Sequence, residues 1–155
     1  MCWKCDHPGK TTEEYLAEMH ETMLVHGWAV QYVESDRTPS AYTIGLTRYG
    51  LPELLVTGVS PGRAVRMLNT VGRRAVGGDQ PTPGMQITLP AGPLVEMVEV
   101  EHPDAHLIFA VAILGDEVTS LQVVWADSRG RWPWSPGFNN GRGIQPVLGQ
   151  RAARG

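Results

Sequence analysis

Apolar residues recur at helical spacing in the segment that follows Thr11. Thr11 and Glu14 have the residue types of a capping box, in which each side chain accepts a hydrogen bond from the other residue's backbone N–H. Gly27 stands where a glycine commonly ends a helix. The apolar stripe consists of Tyr15, Leu16, Met19, Met23 and Leu24. This pattern predicts an amphipathic helix of about 15 residues.

A second helical segment begins after Ser60. Serine is favoured at the N-cap, and Pro61 follows at the first helical position, where no hydrogen bond from its backbone nitrogen is needed. The glycines after residue 76 end the segment. Its apolar stripe consists of Ala64, Leu68, Val71 and Ala75. Because a helix N-terminus presents free backbone N–H groups, we expect Ser60 and Arg63 to lie at a possible anion site.

Alternating or continuous apolar residues predict strands in the remainder of the chain. The predicted strands are residues 28–34, 41–47, 53–58, 85–89, 94–100, 107–114 and 118–126. The run 107–114 is the most apolar, and we expect it to be a central strand that forms a hairpin with 118–126. Short strands joined by tight turns, with two helices, indicate an α+β fold. The prediction is two helices against one curved, mainly antiparallel sheet or open barrel.

The length and composition agree with this fold class. A chain of 155 residues is long enough for one domain with its own apolar core. Its 18 glycines and 12 prolines favour many turns and argue against a helical bundle. We therefore expect a single α+β domain over residues 1–150 and a loose C-terminal tail over 151–155.

The charge and the hydropathy of the chain exclude several functional classes. A net charge of −3 gives no general attraction to nucleic acid or to an anionic membrane. No apolar run reaches the roughly 20 residues of a membrane span, and Met1 is not followed by a signal-peptide pattern. The predicted location is the cytoplasm, where cysteine thiols stay reduced.

The first seven residues contain three residue types that bind divalent metals. Cys2 and Cys5 are separated by two residues, so that both thiolates can reach one ion, and His7 follows. Zinc in a structural site takes four ligands, and we expect His106 to be the fourth because it precedes the most apolar run. The alternatives for that position are His102, His20, His26 or a water molecule.

The metal hypothesis includes two roles for the zinc ion. Four protein ligands would make the site structural, whereas a bound water would make it hydrolytic, with Asp6, Glu101 or Asp104 as a base. Redox catalysis by Cys2 and Cys5 is disfavoured, because no strand precedes the pair and no helix directly follows it.

Two other classes of function remain open from the residues alone. A flavin- or nucleotide-binding module would seat phosphate at Ser60 and Arg63 and stack a planar ring on Trp132 or Trp134. The alternative for both tryptophans is a lid packed over the sheet edge. The last class is a partner-binding protein that has no small ligand.

Several stretches taken together resemble a known bacterial family over nearly the whole chain. They are Gly27-Trp28, residues 41–46, residues 52–58, residues 121–127, residues 130–134 and residues 145–149. The family is the domain of unknown function number 4262, and Ala126 departs from the proline that is usual before its aspartate. The resemblance implies one domain and no particular activity. The order of elements is also similar to that of split-barrel flavin reductases, which is a likeness of fold alone.

Overall fold

A six-stranded sheet is the central layer of the computed structural model, which describes residues 11–35, 38–142 and 145–152. The strands are β1 (Ala29–Val33), β2 (Ser40–Ile44), β3 (Glu53–Thr57), β4 (Gln86–Thr88), β5 (Leu94–Glu99) and β6 (Ser120–Trp125). They are ordered β1-β2-β3-β6-β5-β4. Only β3 and β6 are parallel; the other neighbouring pairs are antiparallel. The sheet is open, and the prediction of an α+β fold with a mainly antiparallel sheet is confirmed.

Four α-helices accompany the sheet within the described ranges. They are α1 (Thr12–His26), α2 (Pro61–Val76), α3 (Pro103–His106) and α4 (Ile108–Leu114), with 3-10 turns at Leu46–Tyr49 and Phe138–Gly141. The capping box is confirmed, because Thr11 and Glu14 bond reciprocally and Gly27 ends α1. The predicted start of α2 is also confirmed, with Ser60 at the N-cap and Pro61 as the first helical residue. None of these helices has the length and apolar character needed to span a membrane.

The prediction of a strand and hairpin at residues 107–114 is wrong, because this run forms α4. A short apolar run does not distinguish a buried strand from a helix by its pattern. Leu107 and Ala110 are buried on one side of α4, whereas Ile108 is 62% exposed. The hydroxyl of Tyr42 accepts a hydrogen bond from the backbone N–H of Phe109, one of the donors that a helix start leaves free. The other six predicted strands all form.

Apolar residues pack on both faces of the sheet. On one face, the α2 stripe packs on apolar residues of the central strands; this cluster includes Leu54, Val56, Ala64, Leu68, Val71, Val95, Met97, Leu121 and Val123. On the opposite face, α1 and α4 contribute to a second cluster, which includes Met23, Tyr42, Ile44, Leu55, Leu107 and Ala110. All four residues of the predicted α2 stripe are buried. The amphipathic pattern of this helix therefore matches its place in the fold.

The C-terminal segment 145–152 is hydrogen-bonded to side chains of the sheet. Thr57 and Gln122 both donate to the carbonyl of Pro146, and Gln122 accepts from the backbone N–H of Leu148. We call residues 145–152 the strap. The strap belongs to neither a helix nor the sheet, so its backbone N–H and C=O groups need other hydrogen-bond partners. The polar side chains of Thr57 and Gln122 supply them.

Candidate functional site

The strands β3 and β6 are parallel neighbours at the centre of the sheet, so their carboxyl ends lie side by side. Crevices outside the carboxyl ends of parallel strands are common ligand sites in open sheets. The chain leaves β3, passes Ser60 and enters α2. The Ser60 side chain makes no capping hydrogen bond, and the first turn of α2 has no acidic residue. The N-terminus of α2 is therefore electropositive.

The aromatic ring beside the start of α2 belongs to Trp125. The guanidinium carbon of Arg63 lies 5.3 Å from the centre of this ring, a cation–π distance. The indole N–H of Trp125 donates to the carbonyl of Thr57 at 2.9 Å. The Phe138 ring packs on Trp125 with centroids 5.3 Å apart. Arg63, Trp125 and Phe138 together form what we call the Arg63 edge.

Asp127 organises the loop that follows β6. Its carboxylate accepts hydrogen bonds from the backbone N–H groups of Arg129, Arg131 and Asn139 and from Nε of Arg131. Burial raises the pKa of Asp127, but these hydrogen bonds outweigh it and lower the pKa to about 2. The loop that carries Phe138 to Trp125 is thus fixed by one carboxylate.

Trp132 and Trp134 lie stacked on each other, with ring centroids 5.3 Å apart and an interplanar angle of 11°. The guanidinium of Arg151 lies 4.0 Å from the Trp134 ring centre. Arg151 also forms an ion pair with Glu96, with Nε and Oε2 2.8 Å apart. Hydrogen bonding to Glu96 raises the pKa of Arg151. Trp134 therefore contacts both the Trp132 ring and the Arg151 guanidinium.

Glu53 is a buried carboxylate that the sequence reasoning did not single out. It is fully buried and accepts hydrogen bonds from the hydroxyls of Thr43 and Thr47. Backbone N–H groups of Gly45, Leu46 and Thr47 also donate to it. These bonds join β3 to the turn after β2, so we interpret Glu53 as structural. The sequence signal for a buried Glu53 was its position as the one acidic residue at the start of an otherwise apolar strand.

Gln122 and Gln145 were also missed, and both hold the strap. The side-chain amide of Gln145 accepts from the backbone N–H of Trp125 and donates to the Trp125 carbonyl, both at 2.9 Å. In doing so it takes the place of a neighbouring strand at the end of β6. The signal for Gln122 was a polar residue inside an otherwise apolar strand, since such residues are buried only with partners.

The predicted metal ligands divide between described and undescribed residues. Cys2, Cys5 and His7 lie outside the described residues. His106 ends α3 and is half-buried, whereas His20, His26 and His102 are exposed. Within the described ranges, no three His, Cys, Asp or Glu side chains converge as metal ligands.

Residues 22–139 match the family model described as "Domain of unknown function (DUF4262)". The chain belongs to this family. The residues of this DUF4262 chain that match include the carboxyl ends of β3 and β6, the Arg63 edge and the loop that Asp127 organises. No curated protein and no solved structure matches the chain. The family assignment confirms the resemblance and does not name an activity.

Proposed function

We propose that this protein binds one zinc ion through Cys2, Cys5, His7 and His106. The observation that supports it is the packing of the first turn of α1 beside α4. The rings of Tyr15 and Phe109 lie edge to face, with centroids 4.9 Å apart. His106 ends α3, three residues before Phe109. The first turn of α1 therefore packs beside the helix that follows His106, the histidine that the sequence analysis selected.

Chain length permits the three N-terminal ligands to reach His106. Thr11 caps α1, and Tyr15 is about 6 Å along the helix axis from it, at 1.5 Å per residue. His7 precedes Thr11 by four residues, which span at most about 14 Å when extended. Consecutive Cα atoms are about 3.8 Å apart, so His106 lies within about 11 Å of Phe109. These distances allow both ends of the connection to meet at one ion.

The other histidines are less well placed for such a site. His26 is the last residue of α1, about 21 Å from its first residue at the helical rise. His20 is exposed on the same helix, and His102 is exposed before α3. The half-buried position of His106 would fix its imidazole better than any of these. Two thiolates and two imidazoles form a common structural zinc set.

A zinc ion in this site would have a structural role, because four protein ligands leave no open position for substrate. It would link the first residues to a loop about 100 residues later, and a link of that length strongly restricts the unfolded chain. Thiolates and neutral imidazole bind the ion more weakly as the pH falls. We therefore expect metal binding and folding stability to be coupled.

Elemental analysis of the untagged protein tests the proposal directly. We expect close to one zinc per chain, and a chelator should lower the melting temperature by several degrees, because loss of a ligand bound only by the folded state destabilises it. Cys5→Ser and His106→Ala should each remove most of the zinc and most of the chelator effect. The double variant should lose little more, since both changes act on one site.

His102→Ala is the matched control, because it changes an exposed histidine four residues earlier and should leave zinc content unchanged. Full zinc retention and an unchanged melting temperature in Cys5→Ser would contradict the proposal. Zinc that is lost in Cys5→Ser but retained in His106→Ala would exclude His106 and leave another histidine or, in a hydrolytic site, a bound water as the fourth ligand.

A second candidate is a phosphate-bearing ligand with a planar ring, such as a flavin or nucleotide, at the Arg63 edge. It is supported by the position of Arg63 in the first turn of α2 and over Trp125. Phosphate would lie against Ser60, Arg63 and the free N–H groups of α2. The ring would stack on Trp132 or Trp134, which are both half-buried.

Fluorescence titration with flavin mononucleotide and with adenosine diphosphate tests this candidate. Arg63→Ala should weaken binding by about tenfold, the effect of losing a charge-assisted hydrogen bond. Arg73→Ala is the control, since Arg73 is exposed in the last turn of the same helix. Equal small effects from both variants would mean that α2 presents only a solvated basic face.

A further inference from the structure

The two long helices carry opposite charges on the two sides of the sheet. The helix α1 has no lysine or arginine, and its acidic residues are Glu13, Glu14, Glu18 and Glu21. The helix α2 has no acidic residue, and its basic residues are Arg63, Arg66, Arg73 and Arg74. Because α2 packs on one face of the sheet and α1 on the other, the outer surfaces of the two helices face away from each other. Their charges therefore do not pair within one molecule.

Several of these charges have no partner of opposite sign. Arg66 and Arg73 are exposed and form no ion pair with any described residue, whereas Arg74 is paired with Asp79. On α1, the exposed carboxylate of Glu21 also has no ion-pair partner in the described ranges. These side chains are available to groups outside the molecule.

The charges repeat at the same interval on the two helices. Arg66 and Arg73 are seven residues apart, so they lie on one side of α2 and about 10.5 Å apart along its axis. Glu14 and Glu21 have the same separation on α1, and both are exposed. Two helices placed side by side in a parallel orientation would therefore bring Glu14 beside Arg66 and Glu21 beside Arg73.

Exposed apolar side chains follow the charges at the same spacing. Leu24 comes ten residues after Glu14 and is 58% exposed, and Val76 comes ten residues after Arg66 and is 40% exposed. The alignment that pairs the charges thus also places these two apolar side chains opposite each other. Contact between them removes apolar surface from water, whereas the charges set the register of the two helices.

We propose that α1 of one molecule docks on α2 of a second copy of this protein, through Glu14 and Glu21 against Arg66 and Arg73. The occupant is a second copy because the complementary charges, at matching intervals, are on this same chain. Since the two helices lie on opposite faces of the sheet, the contact is head-to-tail, and copies add in open chains or close into a ring. Exposed ion pairs each contribute little, so the association is weak and sensitive to salt.

Sedimentation velocity of the full chain over a series of protein concentrations tests the proposal. We expect species larger than a dimer at about 0.1 M salt and a monomer at about 1 M salt, where charges are screened beyond about 3 Å. Glu21→Arg and Arg73→Glu should each weaken the association by about tenfold, because each replaces an attraction by a repulsion. Both positions are exposed, so both variants should fold.

An equimolar mixture of Glu21→Arg and Arg73→Glu should assemble again, although neither variant assembles well alone. In the mixture, the acidic α1 of the Arg73→Glu molecule meets the basic α2 of the Glu21→Arg molecule. General charge attraction would not produce this recovery, because each variant alone and the mixture have the same kinds of helices in different combinations only.

Two matched controls make the same changes of net charge outside both helices. Asp116→Arg and Arg129→Glu alter exposed residues and should leave the association unchanged. A protein that stays monomeric at low salt, a mixture that does not assemble, or equal effects from the controls would each overturn the proposal. A monomer that binds heparin, and binds it less tightly after Arg73→Glu, would assign the basic face of α2 to an acidic polymer instead.

Discussion

The two faces of the sheet are covered in different ways. On the α2 face, Leu54, Val56 and Leu121 are apolar and buried beneath a helix. On the opposite face, the register of β6 and β5 places Gln122 beside Val98 and Glu96 beside Val124, and the strap bonds to both polar side chains. The α2 face is therefore held by packing, whereas the opposite face combines the apolar cluster beneath α1 and α4 with hydrogen bonds from the strap to β5 and β6.

This difference follows from what covers each face. A helix satisfies its own backbone N–H and C=O groups, so it needs only an apolar surface to pack against. An extended strap leaves its backbone groups free, and Gln122, Thr57 and the backbone N–H of Glu101 provide their partners. Buried polar residues in β5 and β6 are thus a consequence of covering the sheet with an extended segment.

Removing packing from the α2 face should have the largest effect on stability. Leu68 is fully buried in the apolar cluster, and Leu68→Ala should lower the free energy of unfolding by about 3 kcal/mol, because it leaves a cavity. Urea unfolding measures the change. Val65→Ala, on the exposed side of α2, is the control and should change it by less than about 1 kcal/mol. Similar losses from both variants would contradict the picture of a one-sided helix.

Removing the central amide from the strap face should have the next largest effect. Gln122→Leu keeps a similar volume but leaves the Pro146 carbonyl and the Leu148 N–H without this partner. We expect a loss of about 2 kcal/mol in the free energy of unfolding, the scale of buried groups left unsatisfied. Hydrogen exchange should accelerate at the Leu148 amide more than at amides of α2. Unchanged exchange at Leu148 would show that the strap does not depend on Gln122.

The pH dependence of the free energy of unfolding should show how much the hydrogen bonds to Asp127 stabilise the loop after β6. Its pKa is lowered from the usual 3.8 to about 2, so its carboxylate contributes stability that is present above about pH 4 and is lost as the pH falls towards 2. Asp127→Asn should therefore destabilise the protein at neutral pH and flatten the decline in stability between pH 4 and 2. Urea unfolding at several pH values measures this profile.

The strap-face variant Gln122→Leu is the control for that profile, because glutamine does not titrate. It should lower stability by the same amount at each pH between 4 and 2. An Asp127→Asn profile that runs parallel to that of the parent protein would mean that the hydrogen bonds to Asp127 do not stabilise the folded state. The Asp127 effect at neutral pH should be the smallest of the three, because asparagine keeps one acceptor oxygen.

Local sequence determined most of the elements of this fold. The capping box at Thr11, the proline at the start of α2 and the apolar stripes depend on residues within a few positions of each other. The same holds for six strands, whose patterns and flanking turns are local. It also holds for Ser60 and Arg63, which one turn of helix brings together.

Tertiary structure alone decided the features that depend on residues distant in the chain. The apolar run 107–114 forms a helix in the folded protein. The hydroxyl of Tyr42 accepts from the backbone N–H of Phe109 in its first turn, and the fold buries Leu107 and Ala110 but leaves Ile108 exposed. The parallel pairing of β3 with β6 brought Arg63 to the ring of Trp125, a contact that the sequence analysis did not predict. Hydrogen bonds and ring contacts of this kind are made across the sheet, so no pattern of neighbouring residues encodes them.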